Sequence, residues 1–174
     1  AEIHDFKIMV EQMIAAHNAR STRKLSVDDF TAANLNVTGT FDHLFYVPPE
    51  SRQVIEAVRE SGKATGLVTT RGAVSLGRVL DLHQFTDLFD VVVGGGDVKR
   101  RKPHPEPLAI ALNLLSVEAR RSMYVGDDQA ADVGAAKALG MKTALVNDRE
   151  LDPLGPIPTH HWSSLEPIAR RYSR

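Results

Sequence analysis

Three aspartates crowd into the stretch YVGDDQAADVGAA, residues 124–136, where an apolar run and a glycine precede an alanine-rich helical pattern. Carboxylates this close repel one another unless a cation, hydrogen bonds or solvent compensate their charge. Oxygen-rich clusters without sulfur suit Mg²⁺, which takes one or two carboxylates together with waters and phosphate oxygens. Alternatively, one carboxylate caps the helix. Because a cap needs only one, the cluster favours a metal site formed by Asp127, Asp128 and Asp132.

A lysine provides the second chemical group, within KRRKPHPEPL at residues 99–108. Pro103 and Pro105 stiffen this segment, and Pro105 suits the first turn of a helix that follows. Lys102 is therefore expected beside a helix amino terminus, where main-chain N–H groups favour an anion, and it can act there as a point charge on phosphate. A solvated basic turn is the alternative, and it accounts for the three basic residues before Lys102. His104 either contacts the substrate or packs within the loop.

Hydroxyl groups follow the apolar segment GLV at residues 66–68. The hydroxyl of Thr69 and the main-chain N–H groups beside it could hold a phosphoryl oxygen at a strand end. Threonine is also common there as a local cap, so this motif alone is weak. We expect Thr70, Arg71 and His104 to contribute to substrate binding.

Alternating helices and short apolar strands must position these groups. Such alternation without hairpin signals is typical of an open parallel sheet covered on both faces, which binds ligands beyond the carboxyl ends of its strands. Residues 1–47 are predicted as a helical segment and connector, with a capping box at Ser26–Asp29, and residues 48–174 as the α/β core. Within that core, helices are predicted over residues 50–61, 72–83, 105–115, 129–139 and 164–171, and strands over 64–69, 90–93, 123–125 and 142–146.

Composition excludes several classes of function. The 174 residues have a formal net charge of -1, which gives no overall attraction to nucleic acid or membranes. The absence of cysteine excludes disulfides, thiol catalysis and zinc–thiolate sites. His160 and His161 are predicted to lie in a Pro-rich loop and are poor candidates for a metal site, because no third ligand is nearby. No apolar run approaches a membrane span and no signal-peptide pattern is present, so we expect a cytoplasmic protein. The oligomeric state cannot be read from the sequence.

Three motifs, taken together, resemble one family. LVTT, KPHPEPLAIAL and YVGDDQAADVGAAKALGM occur in this order at residues 67–70, 102–112 and 124–141. They resemble the haloacid dehalogenase (HAD) superfamily, and within it the phosphoglycolate-phosphatase-like branch, over about residues 46–147. The resemblance implies a Rossmann-like, three-layer parallel sheet, a partial helical cap, and a Mg²⁺-dependent phosphatase acting on a small phosphorylated metabolite.

The resemblance also implies roles for individual residues. Thr69 would hydrogen-bond the transferring phosphoryl group, and Lys102 would neutralise it. Asp127 would ligate Mg²⁺, Asp128 would ligate it or orient water, and Asp132 would support the site.

One departure from the family is large. Its chemistry needs an aspartate nucleophile in a DxDGT-like segment, which attacks phosphorus. Asp5 lies in a helical pattern with a lysine where the second aspartate should be, and Asp42 lacks the following D and GT. We expect the nucleophile and the first, central strand to lie upstream of Ala1, so that two strands lose their partner. Three hypotheses remain: a truncated, inactive phosphatase, a non-catalytic phosphate-binding or regulatory protein, and a β-phosphoglucomutase-like phosphomutase.

Overall fold

The computed structural model describes residues 50–172 continuously, together with residues 14–15, 18–19, 24, 26, 29 and 47. The chain divides into two compact units, Ala1–Phe45 and Tyr46–Arg174. In the first unit, the predicted capping box is present. Oγ of Ser26 accepts a hydrogen bond of 3.0 Å from the N–H of Asp29, and Oδ2 of Asp29 accepts one of 2.9 Å from the N–H of Ser26. Asp5, Asp42 and the connector at 36–46 lie outside the described residues.

Helices and strands alternate through residues 50–172, as the sequence predicts. The helices predicted over residues 50–61 and 129–139 end before Gly62 and Gly140. Both glycines adopt positive φ angles, 77° and 75°, which a residue with a Cβ atom adopts only at a cost. The elements are α1 (Glu50–Glu60), β1 (Gly66–Val68), α2 (Ala73–Leu82), β2 (Val91–Val93), α3 (Glu106–Leu114), a 3₁₀ turn (Ala119–Arg121), β3 (Met123–Gly126), a π-helical turn (Gln129–Val133), α4 (Gly134–Ala138), β4 (Lys142–Val146), β5 (His160–Trp162) and α5 (Glu166–Tyr172).

The strands form two parallel sheets. β1 pairs with β2, and β4 lies between β3 and β5. The predicted α/β class with parallel strands is therefore confirmed. Within residues 50–172, no strand pairs with the second edge of β1 or of β3, which agrees with the expectation that the central strand is not among these residues.

One local prediction was wrong, and another was right but incomplete. His160 belongs to β5, not to a loop, and pairs with Ala144 of β4. The sequence HHW gave no apolar signal because β5 lies at the edge of its sheet and is largely exposed. A reciprocal pair of hydrogen bonds joins Thr143 and Thr159 just before it, at 3.0 and 2.8 Å. The helix predicted over residues 129–139 begins as a π-helical turn, a form often found at functional sites.

The core fixes the elements that carry the functional groups. Val68 of β1 and Val93 of β2 pack with Leu108 and Ala111 of α3, and with Ala135 and Ala136 of α4, in one buried cluster. Burying a leucine such as Leu108 stabilises the fold by about 2 kcal/mol. Because this packing fixes α3 and α4, it also fixes the segments just before them, which carry Lys102 and Asp132. No helix of the described residues is long and apolar enough to cross a membrane.

Candidate functional site

Lys102 lies at the centre of a buried polar network just before α3. Its side chain is 11% exposed. Its Nζ atom donates hydrogen bonds to Oδ1 of Asp132 at 2.5 Å and to the hydroxyl of Tyr124 at 2.9 Å. Burial by itself lowers the pKa of Lys102, but the charges and hydrogen bonds of Tyr124 and Asp132 outweigh burial and raise it above its ordinary value. Lys102 is therefore a cation at neutral pH.

Asp132 joins this lysine to the loop after β3. The residue is 4% exposed. Its Oδ2 atom accepts hydrogen bonds of 3.1 Å from the main-chain N–H groups of Asp127 and Asp128. A Cβ atom on Gly126 would lie 2.3 Å from Oδ2 of Asp132, so this position requires glycine. Asp132 thus fixes the loop and the lysine with one carboxylate.

The other two predicted metal ligands differ from each other in their hydrogen bonds. Asp128 caps the π-helical turn, since its Oδ1 atom accepts a hydrogen bond of 2.7 Å from the N–H of Ala131. Asp127 is exposed, and its main-chain oxygen accepts a hydrogen bond of 2.8 Å from Nδ2 of Asn147. Among the described residues, no group of three or more His, Asp or Glu side chains is placed to hold a metal ion. The metal roles of Asp127, Asp128 and Asp132 stay predictions.

The carboxyl end of β1 belongs to the same network. The hydroxyl of Tyr124 donates to the main-chain oxygen of Val68 at 3.1 Å, directly before Thr69. Oγ1 of Thr69 accepts a hydrogen bond of 3.2 Å from the N–H of Arg71, which is the local-cap arrangement weighed from the sequence. Tyr124 and Asp132 therefore connect Lys102 to the main chain directly before Thr69 and to the main chain of Asp127.

The predicted substrate-binding residues occupy the rim of this region. Thr70 is exposed, and its main chain packs so closely on Gly95 that a Cβ atom there would lie 2.3 Å from the Thr70 oxygen. The guanidinium of Arg71 donates to Oγ of Ser75 at 3.0 Å. His104 packs locally, because its Nδ1 atom accepts a hydrogen bond of 3.1 Å from the N–H of Glu106. Their role in substrate binding stays a prediction.

The basic turn before Lys102 is tied down by Glu106. The Glu106 carboxylate accepts a hydrogen bond of 2.7 Å from the N–H of Lys99 and lies 3.5 Å from the Arg100 guanidinium. The hydrogen bond from Lys99 is the main reason that the pKa of Glu106 lies below its ordinary value. The turn is therefore anchored where α3 begins, and Lys102 emerges from it at a defined place.

Sequence reasoning missed Tyr124 and gave Asn147 no role. Tyr124 is partly buried, and burial is the main cause of its raised pKa. The one sequence signal for Tyr124 was an aromatic side chain two positions before Gly126. The strand is too short for its residue pattern to show which side chains face the site. Asn147 directly follows β4, and a polar residue at a strand end was its only sequence signal.

Residues 7–146 match the family described as haloacid dehalogenase-like hydrolase. The chain is 40% identical over 109 residues to pyrophosphatase PpaX of Bacillus cereus strain B4264, which covers 61% of this chain and 50% of that protein. It is 35% identical over 130 residues to phosphoglycolate phosphatase of Salmonella paratyphi A, covering 75% of this chain and 48% of that protein. The chain thus spans about half the length of these curated relatives.

Among solved structures, a HAD phosphatase from Thermococcus onnurineus superposes on this chain with a TM-score of 0.70 and 26% identity. The superposition covers 80% of this chain and 64% of that one.

Proposed function

This chain belongs to the haloacid dehalogenase-like hydrolase family, and we propose that its site is the phosphoryl-binding part of a Mg²⁺-dependent phosphatase of small phosphate monoesters. The relatives named phosphoglycolate phosphatase and pyrophosphatase support a small phosphorylated ligand, and the first of them supports one of the phosphoglycolate type. The observation that carries the proposal is the buried, charged Lys102 between Asp132 and Tyr124.

Lys102 has one donor to spare for a ligand. An ammonium group carries three N–H donors, and Asp132 and Tyr124 take two of them. The third can donate to a phosphoryl oxygen, while the positive charge offsets the negative charge of the phosphate. The hydroxyl of Thr69 would give a second hydrogen bond from the end of β1.

Asp127 fits a role in holding Mg²⁺. Its carboxylate is exposed beside the lysine network, whereas the carboxylates of Asp128 and Asp132 are hydrogen-bonded within the protein. One or two carboxylates suffice for Mg²⁺ where phosphate and water complete its shell. When bound, the ion would supply Lewis-acid stabilisation to the phosphoryl oxygens. Asp132 would act indirectly, by holding the main chain of Asp127 in place.

Phosphate binding and catalytic turnover are expected to differ for residues 1–174. Residues 1–174 contain no DxDGT-like segment, and removing a nucleophile that works as part of a catalytic unit removes most of the rate. We therefore propose that residues 1–174 by themselves bind phosphate with turnover near background. The same observation favours the second candidate, a non-catalytic phosphate-binding or regulatory protein. A phosphomutase would differ by transferring the phosphoryl group between sugar positions without releasing phosphate.

The test combines turnover with binding. Hydrolysis of phosphoglycolate and p-nitrophenyl phosphate with Mg²⁺ should stay at background, while calorimetry should detect binding of inorganic phosphate. Lys102→Met should abolish that binding, and Lys99→Met, an exposed lysine of the same turn, should leave it unchanged. Asp127→Asn should weaken Mg²⁺ binding, whereas the exposed neighbour variant Asp148→Asn should not.

Two results would contradict the proposal. Robust turnover that Asp127→Asn abolishes would mean that the chain contains a nucleophile after all. Unchanged phosphate binding by Lys102→Met would remove Lys102 from the site.

A further inference from the structure

The main chain of Asp127 is held from two sides. The N–H groups of Asp127 and Asp128 donate to Oδ2 of Asp132 at 3.1 Å each. The oxygen of Asp127 accepts a hydrogen bond of 2.8 Å from Nδ2 of Asn147. The C=O of one residue and the N–H of the next belong to one planar trans peptide group, in which they point in opposite directions. Asp132 and Asn147 therefore hold the peptide group after Asp127 from opposite sides, and this group cannot rotate without breaking both contacts.

The side-chain amide of Asn147 has a defined orientation. Its Oδ1 atom accepts a hydrogen bond of 3.0 Å from the N–H of Arg149, while its Nδ2 atom donates to the oxygen of Asp127. A flipped amide would set oxygen against oxygen at Asp127 and NH₂ against N–H at Arg149, so only one orientation satisfies both partners. Asparagine often accepts from the N–H two residues on, which accounts for the contact to Arg149 as a local turn. The contact to Asp127 spans 20 positions and has no such local cause.

His161 of β5 supports this orientation. Its Nε2 atom lies 3.1 Å from the main-chain oxygen of Asn147 and 3.1 Å from Oδ1 of the same residue. Both atoms are acceptors, so Nε2 carries a proton and donates to them. The N–H of Asn147 also donates to the oxygen of Trp162 at 3.0 Å, which joins Asn147 to β5. A continuous path of hydrogen bonds therefore runs from β5 through Asn147 to Asp127.

Asn147 differs from Asp132 in what it holds. The Asp132 carboxylate contacts both the loop after β3 and Lys102. The Asn147 side chain contacts that loop and the two residues that orient the amide, but not the lysine. Loss of the Asn147 amide should therefore disturb the loop that carries the exposed side chain of Asp127 and leave Lys102 in place.

We propose that Asn147 is a positioning residue for Asp127, and that His161 keeps the amide of Asn147 turned toward it. This role rests on the proposed function, in which Asp127 holds Mg²⁺, and it adds two residues that contact neither the ion nor phosphate. A ligand with a fixed main chain loses less conformational freedom when it binds an ion. Groups that orient metal ligands typically change metal affinity by about ten- to hundredfold. Asn147 and His161 should therefore set the affinity for Mg²⁺ and leave that for phosphate unchanged.

The test measures two affinities by calorimetry, that for Mg²⁺ and, without Mg²⁺, that for inorganic phosphate. Asn147→Leu keeps a similar side-chain size but removes the donor to Asp127. Its Mg²⁺ affinity should fall at least about tenfold, and its phosphate affinity should stay unchanged. Asn113→Leu, the same change at an exposed position of α3, should alter neither affinity. A general loss of structure would weaken both, so the difference between the two affinities identifies positioning.

Three variants and an NMR measurement test His161. His161→Phe removes the donor to Asn147 and should weaken Mg²⁺ binding about threefold, as expected for one hydrogen bond. His161→Gln supplies an amide donor in its place and should restore most of the affinity. His160→Phe is the matched control, because the His160 ring stacks on Trp162, at 4.8 Å between ring centroids. Nitrogen-15 NMR of the neutral His161 ring should show the proton on Nε2.

Asp127→Asn distinguishes failure of this role from failure of the proposed function. Unchanged Mg²⁺ binding by Asp127→Asn would show that Asp127 holds no metal, which overturns the proposed function and the positioning role together. Weaker binding by Asp127→Asn with normal binding by Asn147→Leu would overturn the positioning role alone. In the double variant, Asn147→Leu should weaken Mg²⁺ binding no further, since both changes act through one ligand.

The remaining outcomes also decide the question. Equal losses of Mg²⁺ and phosphate affinity in Asn147→Leu, or a full additional loss in the double variant, would overturn positioning through Asp127. Normal Mg²⁺ binding by His161→Phe, or a neutral ring with its proton on Nδ1, would overturn the part assigned to His161.

Discussion

The Nζ atom of Lys102 lies 2.5 Å from Oδ1 of Asp132, and both side chains are nearly buried. The pair links two segments thirty positions apart in the sequence, the turn before α3 and the turn before α4. Because Oδ2 of Asp132 also holds the N–H groups of Asp127 and Asp128, this carboxylate connects the cation to the loop that carries the proposed metal ligand.

Asp132→Asn tests this connection. The amide would leave Lys102 as a buried cation without its anion, and removal of one partner from a buried pair costs about 3 kcal/mol or more. Chemical denaturation should show this fall in the free energy of unfolding. Asp87→Asn, a change at an exposed aspartate, should stay within about 0.5 kcal/mol of the unmodified protein. A similar stability of both variants would mean that the pair contributes little.

Tyr124→Phe tests the link between Lys102 and β1. The change removes an acceptor from Lys102 and leaves the Val68 oxygen without the donor it now has. The free energy of unfolding should fall by about 1–2 kcal/mol. Tyr172→Phe is the matched control, since the Tyr172 hydroxyl makes no hydrogen bond within the described residues. Phosphate binding should weaken only in Tyr124→Phe, and equal effects of both changes would contradict the link.

The parts of the fold predicted from sequence are those with a strong periodic signal. β4 was predicted to the residue, because KTALV is an apolar, β-branched run with three buried residues. β5 was missed because an exposed edge strand of three residues needs no apolar pattern. The helix after Asp128 was predicted, but its π-helical start was not, since that depends on two N–H groups, of Asp132 and Val133, sharing the Asp128 oxygen.

The residue types of the candidate site could be read from the sequence, but their arrangement could not, and their roles stay predictions. Lys102 and the three aspartates could be recognised from their spacing and neighbours. Asp132 turns inward to Lys102, whereas Asp127 stays exposed. This difference depends on the tertiary packing of α3 against β1 and β2, which spacing alone does not give. Tyr124 was overlooked for the same reason, because its partners lie 22 and 56 positions away.

Asp90 should make stability depend on acid pH. Its carboxylate accepts a hydrogen bond of 2.7 Å from the N–H of Thr65 and lies 2.9 Å from Arg59. The hydrogen bond from Thr65, followed by Arg59, outweighs burial and lowers the pKa below its ordinary value of 3.8. Because the folded pKa is the lower one, this contribution is present above pH 3.8 and is lost as pH falls through the folded pKa.

Asp90→Asn should therefore lower stability at neutral pH, by no more than about 1 kcal/mol because the pair is partly exposed. The difference from the unmodified protein should shrink as pH falls below 3.8. Denaturation curves between neutral and acid pH measure this difference, with Asp87→Asn as the control. A difference that stays constant down to acid pH would show that the effect of the substitution is not electrostatic.

Gly126→Ala should disturb the site through Asp132. A Cβ atom at Gly126 would lie 2.3 Å from Oδ2 and 2.6 Å from Cβ of Asp132, so the aspartate or the loop must move. Overpacking of this kind costs about 1–3 kcal/mol, and we expect phosphate binding to weaken as Lys102 loses its fixed partner. Gly77→Ala in α2 is the matched control, since nothing lies within 4 Å of its added Cβ atom. Alanine there should stabilise the helix by about 0.5–1 kcal/mol. Calorimetry of phosphate binding and thermal unfolding of both variants measure these effects, and normal phosphate binding by Gly126→Ala would show that the loop does not need to be held by Asp132.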